Sequence, residues 1–331
     1  MTKVTMQLIA DSLGISKNSV SQALRNKSGV SQKTKDLVCK KAEELGYKYK
    51  KSNAKVMHHS FLLIATEFAF SQTSFFGEIV KSIFIEAQSS NHQVSTYTIT
   101  DRDIRLFSLP KNLENYDGII VLSHSDDCYL EKLIHSGIPT ILVDHHGPTL
   151  MTDSVLTNNR DGAYDAVSLL LENHHEQIGF IGDIRFSPSY YERFIGYQRA
   201  LSDHGIPFDS LIEITEIEES QGALFNKLKQ IPEMPEAWFC VNSGLAFMVN
   251  SFLQSAGYTI PEDISLLCFD DTEFTRTAIS PITNVATDLH YMGSLAVRTL
   301  IKRIEESHSP FIQQKILPQL TIRGSVLRID A

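Results

Sequence analysis

A small all-helical head followed by an α/β body of parallel sheets flanked by helices is the fold class predicted by this 331-residue sequence. Three observations carry that prediction. Two short amphipathic segments joined at a glycine open the chain. From Phe61 onward, continuous apolar runs alternate with amphipathic stretches, the pattern of strands buried on both faces by covering helices. The charge also changes sign: residues 1–60 hold 12 Lys and Arg against 4 Asp and Glu, the remainder 18 against 35, so a head of +8 precedes a body of −17.

The head reads as three helices. In the first, Leu8, Ile9 and Leu13 form an apolar stripe, small Ala10 permits close approach, and Gly14 supplies the left-handed turn that ends it. Ser16 is a good N-cap for a second helix in which Val20 and Leu24 face inward. Lys17, Asn18, Ser21, Gln22 and Arg25 stay free, and nothing in the packing of a small bundle calls for them. A third helix, 32–45, is capped by Ser31 and closed by Gly46, with Leu37, Val38, Ala42 and Leu45 completing the core. Two helices joined at a glycine, with a polar start to the second, are helix-turn-helix chemistry, so residues 16–25 are candidates to read DNA bases. A basic head on an acidic body fits a module drawn to phosphate and carried by a body that phosphate repels.

In the body, strands are expected in the runs 61–66, 118–122, 139–144, 178–182, 237–242 and 264–270. Helices are expected near 75–90, 126–136, 160–173, 190–204, 220–230, 243–256 and 288–306, a length that suits two lobes. Cys39, Cys128, Cys240 and Cys268 are widely spaced and form no C-x-x-C pair, so neither a disulfide framework nor zinc is indicated and a reducing cytoplasm is the expected home. The start of the chain has no apolar signal region and no segment reaches membrane-spanning length. The pairs His58–His59, His145–His146 and His174–His175 lack ligands at metal spacing and read as solvated surface histidines. No phosphate-binding G-x-x-x-x-G-K-[ST] and no G-x-S-x-G turn occurs, and Asp270 and Asp271, side by side at a strand end, face opposite ways. A non-enzyme without cofactor or metal is expected.

The segments MQLIA (6–10), SKNSVS (16–21), GVSQKT (29–34) and AEELGY (42–47) resemble the DNA-binding headpiece of the lactose/galactose-repressor family of bacterial transcriptional regulators. The resemblance continues through DGII (117–120), SGIP (136–139), NRDGA (159–163), RFIGY (193–197), GYTIPEDIS (257–265), FDD (269–271) and a closing strand in LPQLTIRGS (317–325). It implies a two-lobe body of periplasmic-binding-protein type, crossed three times by the chain, and a homodimer on pseudo-palindromic double-stranded operator DNA. The implied division is a headpiece at 1–50, a linker at 51–60, one lobe from 61–158 with 288–317, and another from 159–287 with 318–331. Lys17, Asn18, Ser21 and Gln22 would then contact bases, and Thr5, Ser16, Ser19 and Arg25 phosphates. Most relatives carry arginine at position 22, suited to guanine; glutamine suits the acceptor and donor edge of adenine. In the linker, Val56 and Met57 fall at the family's minor-groove wedge. The family's Pro-Asn start to a hinge helix is missing and lysines crowd the segment, which leaves a plain basic tether as the alternative.

The same resemblance places a small-molecule effector between the lobes, against Phe75 and Phe76 of the first and within reach of Asn159, Arg193, Asn242 and Asp270. Where many relatives read Asn-Asp, this chain has Asn242, Ser243 and Gly244, so one carboxylate is missing. A sugar or sugar phosphate is the leading effector; a nucleobase or a protein partner is the alternative, and a cytoplasmic sugar-binding protein without regulatory output is the alternative for the whole chain. Either sense of regulation is compatible, with repression the leading one.

Overall fold

The computed structural model describes residues 4–24, 29–47, 58–207 and 212–328, which divide into two compact units at His58/His59. In the first unit, α1 (Met6–Leu13), α2 (Lys17–Leu24) and α3 (Gln32–Glu44) pack around Ile9, Ala10, Val20, Ala23, Leu24, Val38 and Ala42. Each helix start is satisfied by a hydroxyl: Thr5 accepts from the Leu8 amide, Ser16 from that of Ser19 and Ser31 from that of Thr34. Gly14, at φ 64°, makes the left-handed stop of α1. Two expected core residues lie outside: Leu8 is 49% exposed and Leu37 50%. Each sits one position, a 100° step, from a buried neighbour, Ile9 or Val38, and three short helices cover only one side of each other.

The second unit holds two six-stranded sheets. In the first, β1 (Ser60–Thr66), β2 (Gln93–Ile99), β3 (Gly118–Leu122), β4 (Thr140–Val143), β5 (Asp153–Thr157) and β11 (Gln313–Ile316) run in the order β11-β5-β4-β3-β1-β2. In the second, β6 (Ile178–Ile181), β7 (Glu213–Ile214), β8 (Ala237–Cys240), β9 (Ser265–Phe269), β10 (Thr283–Ala286) and β12 (Gln319–Thr321) run β12-β10-β9-β8-β6-β7. All pairs are parallel except β10 with β12. The chain leaves the first sheet after β5, returns after β10 and leaves again between β11 and β12. The first sheet is covered by α5 (Phe76–Ser89) and α13 (Leu289–Glu305) on one side and α7 (Asp127–Ile134) on the other. The second is covered by α8 (Asn159–Glu172), α9 (Pro188–Asp203), α10 (Gln221–Leu228) and α11 (Ser243–Ser255). Short helices α4 (Glu67–Ser71), α6 (Asp101–Leu106) and α12 (Glu273–Thr277) follow β1, β2 and β9.

The six expected strands are all interior, and β3, β4, β6, β8 and β9 are buried along their whole length; β5 and β10 are interior as well and were not expected. The strands without a sequence signal are edge strands or, in β5 (Asp-Ser-Val-Leu-Thr) and β10 (Thr-Asn-Val-Ala), interior strands whose polar residues break the apolar run. On β2 only Ile99 is buried, and β11 reads Gln-Gln-Lys-Ile, so neither presents an apolar run. The histidine pairs depart from expectation. Side chains of neighbours do point apart, and for that reason one member of each pair turns inward. His59 is buried beside His92 and near Asp117, His145 meets Asp127 at 3.0 Å, and His175 lies between the Leu170 carbonyl and Ser265 Oγ.

The return of the chain into the first sheet is fixed by a buried ion pair. Arg303 at the end of α13 donates from Nε and Nη2 to Asp153 of β5 at 2.6 and 3.0 Å, and to the carbonyls of Ser309 and Pro310. Asp153 also accepts the Ile312 amide, so both charges are hydrogen-bonded throughout. Arg303→Ala strands the carboxylate and is expected to destabilise the body by about 3–5 kcal/mol, and Asp153→Asn with Arg303→Met by less, in urea unfolding.

Candidate functional site

Two surfaces concentrate the sequence-predicted residues. In the head, Lys17 and Asn18 are exposed in the first turn of α2, and Ser21 and Gln22 are half-buried one turn on. The Ser16 and Ser19 hydroxyls contact each other at 2.8 Å while Ser16 caps the helix, so one hydroxyl hydrogen of the pair remains for an outside acceptor. Thr5 is exposed at the start of α1, where its hydroxyl caps the helix. Gln22 Oε1 lies against the loop glycine Gly29, where an added Cβ would be 3.6 Å away. Arg25, Val56 and Met57 lie outside the described residues. The tip of α2 therefore offers free amides, an ammonium and a carboxamide, a set matched to phosphates and base edges.

In the body, the carboxyl ends of the two sheets face one cleft. Both sheets have the same order, with the switch in strand order at β1/β3 and at β6/β8, the places where open α/β sheets bind ligands. Phe68, His124 and Asp144 follow β1, β3 and β4; Phe186, Asn242 and Asp270 follow β6, β8 and β9. All six line the cleft. Asp144 and Asp270 hold φ of 59° and 69°, a left-handed backbone rare outside glycine, which turns each side chain off the end of its strand.

Arg193, on α9, is 2% exposed and organises the second lobe's side of the cleft. Its Nη1 and Nη2 donate to the two oxygens of Asp270 at 3.1 and 3.2 Å, Nη1 also donates to the Val241 carbonyl at 2.7 Å, and Nε donates to Asn159 Oδ1 at 2.8 Å. The guanidinium lies 3.8 Å above the Phe269 ring. Asn159 is thus buried behind Arg193 and does not line the cleft, a correction to its expected contact with the effector. Asp271 turns the other way and accepts from Arg323 at 2.9 Å and from Thr275.

Asn242 caps α11 through the Leu245 amide and donates to both oxygens of Glu219 at 3.0 Å and to Tyr190 Oη. A carboxylate thereby reaches Asn242 from the loop after β7, although Ser243, its sequence neighbour, carries none; the Ser243 hydroxyl instead meets Thr272 Oγ1 at 2.9 Å. Phe75 and Phe76 pack edge to face at 5.0 Å, and both line the cleft even though Phe76 is also core. Phe68 meets Phe76 at 6.3 Å and, across the cleft, Phe186 at 5.4 Å, while His124 meets Phe186 at 4.6 Å. The lobes also touch where Ser74 donates to Glu273 and where the Thr287 and Thr157 hydroxyls meet at 2.9 Å. Phe68, His124, Asp144, Phe186, Tyr190 and Glu219 had no motif of their own. For the first four the available signal was position: each lies within a few residues of the end of an expected strand.

Burial sets the ionisation in the cleft. It raises the carboxyls of Asp270, against the opposing pull of Arg193, and of Glu219, and it lowers His124, which stays neutral. Asp144 is pushed up to about 7 by burial; Arg193 opposes the shift and Asp270 and Glu192 add to it. An acid whose folded-state value is raised binds its proton more tightly folded than unfolded. Stability therefore falls as pH rises from the ordinary carboxylate range to about 7. Asp144→Asn is expected to melt above the parent near pH 8 and close to it near pH 5, by circular dichroism.

A model of the lacI family of bacterial regulatory proteins matches residues 5–49, and one of a periplasmic-binding-protein-like domain matches 167–326. Over 337 residues the chain is 26% identical to the probable HTH-type transcriptional repressor ExuR of Bacillus subtilis (strain 168), covering 98% of this chain and 99% of that one. Two solved structures share the fold. The complex of the transcriptional regulator CelR with cellobiose matches at TM-score 0.71 and 22% identity, over 97% of this chain and 99% of that one. The lac repressor dimer bound to operator and the anti-inducer ONPF matches at TM-score 0.71 and 21% identity, over 98% and 100%. The chain thus carries a lacI-type DNA-binding headpiece and a periplasmic-binding-protein-like body, the domain make-up of the DNA-binding transcriptional regulators to which it is similar over its length.

Proposed function

We propose that the protein is a cytoplasmic homodimeric repressor whose affinity for a pseudo-palindromic operator is set by a small polyol bound between the lobes of the body. The observation that carries the regulatory half is the cleft itself: Phe68 and His124 of one lobe meet Phe186 of the other across it. A ligand lodged there touches both lobes at once, so its affinity depends on how the lobes are arranged. Such differential binding is what shifts an equilibrium; equal affinity for two arrangements would shift nothing.

Lys17, Asn18, Ser21 and Gln22 are assigned to base edges, Thr5, Ser16, Ser19 and Arg25 to phosphates, and Val56 and Met57 to the minor groove. Phe75, Phe76, Arg193, Asn242 and Asp270 are assigned to the effector, with Asn159 acting on it through Arg193. Aromatic faces beside carboxylate and carboxamide groups suit a sugar ring, whose C–H face stacks while its hydroxyls donate. Of a sugar and its phosphate the cleft favours the unphosphorylated form, since Arg193 is already committed to Asp270, Asn159 and Val241.

Two experiments test the halves separately. Selection of duplexes by the full chain is expected to return a palindromic site with adenine opposite Gln22, and Gln22→Arg is expected to move that position to guanine with a discrimination of about 1–3 kcal/mol. A selection that yields random sequence removes the DNA-reading assignment. Arg193→Ala frees Asp270 as an unpaired buried carboxylate, and titration calorimetry is expected to show effector affinity reduced roughly 100-fold or more. Unchanged affinity in that variant removes the cleft assignment.

A further inference from the structure

The cleft holds more carboxyl groups than its own cation can answer. Among the described residues that line it, Asp144, Glu219 and Asp270 are acidic and Arg193 is the sole lysine or arginine. That guanidinium is used: both oxygens of Asp270 take it, Asn159 takes its Nε–H, and the Val241 carbonyl takes a further hydrogen. His124 is held neutral by burial and by neighbouring His145. Among the described residues Glu219 is hydrogen-bonded by the neutral donors Asn242 and Tyr190 alone. Asp144 is the least satisfied of the three: its Oδ1 is shut off from solvent, and among the described residues no group donates to it. A buried carboxylate oxygen without a donor costs free energy, and Asp144 is one of the residues that line the space between the lobes.

Resting on the reading of this cleft as the effector site, we propose that the effector is a polyhydroxylated amine, of the amino-sugar class, whose positively charged nitrogen is met by Asp144. A neutral polyol could donate a hydroxyl to Oδ1, but a cation also stabilises the ionised form of Asp144 that burial disfavours. A sugar acid or phosphate would bring further negative charge into a desolvated space already holding three carboxyls, where like charges repel strongly. A cation answers the excess, and the faces of Phe68, Phe186 and Tyr190 attract it as well.

The test uses the full chain and matched sets that share a ring and differ in one charged substituent: glucose, glucosamine, glucuronate and glucose 6-phosphate, with the galactose and mannose counterparts, by titration calorimetry near neutral pH and by thermal shift. In at least one set the amine is expected to bind roughly tenfold or more tighter than the neutral sugar, with no measurable binding of the acid or phosphate. Asp144→Asn, verified as folded by circular dichroism, is expected to bring the amine down to the neutral sugar's affinity. A neutral or anionic member that binds as tightly as its amine, or an amine preference untouched by Asp144→Asn, overturns the proposal. If such a ligand is lost in Arg193→Ala, the cleft reading survives that failure; a panel with neither heat nor melting shift in any set overturns both.

Discussion

The buried clamp between Arg193 and Asp270 is the constraint around which the second lobe's side of the cleft is organised. It joins α9 to the carboxyl end of β9, takes in the end of β8 through Val241, and reaches the start of α8 through Asn159. A guanidinium that is 2% exposed needs every available partner, and the arrangement supplies a carboxylate, a carbonyl, a carboxamide and the Phe269 face. Because the charge is balanced in place, Arg193 positions Asp270 as a fixed acceptor; it is not a free cation awaiting an anion.

The two lobes solve the same geometric problem in the same way. Each presents the residues after its first, second-switch and next interior strands to a common space, from identical strand orders. The left-handed backbone at Asp144 and Asp270 lies at these ends, where it turns each side chain off the strand axis at the cleft. The lobes differ in chemistry. The first contributes mostly rings, with Asp144 as its one carboxylate, and the second contributes the hydrogen-bonding network. A ligand that stacks on one and is held by the other couples the two, and with them the three chain crossings between the sheets.

The head works by a different economy of forces. Its core is a handful of aliphatic side chains, its helix starts are closed by Thr5, Ser16 and Ser31, and the polar tip of α2 has little structural duty beyond the cap. Positive charge concentrated in residues 1–60 against the acidity of the rest directs phosphate contact to this end of the chain.

Much of this was legible in the sequence because its physical cause is local. The helices of the head follow from apolar spacing, a capping serine and a left-handed glycine, all within a few residues of one another. Six of the interior strands follow from unbroken apolar runs, which only burial on both faces explains; β5 and β10, interior but interrupted by polar residues, do not. Edge strands such as β2 and β11 were not legible, since a strand with one partner and one wet face needs no such run. The cleft was legible in part: Arg193, Asn242 and Asp270 stood out through family-like motifs. Asn159 was expected beside the ligand but lies behind Arg193. The inward turn of His59, His145 and His175, the carboxylate that Glu219 carries to Asn242, and the unanswered Oδ1 of Asp144 were decided by tertiary structure alone. Each depends on which residues distant in the chain arrive within a few ångströms, and no local pattern of side chains encodes that distance.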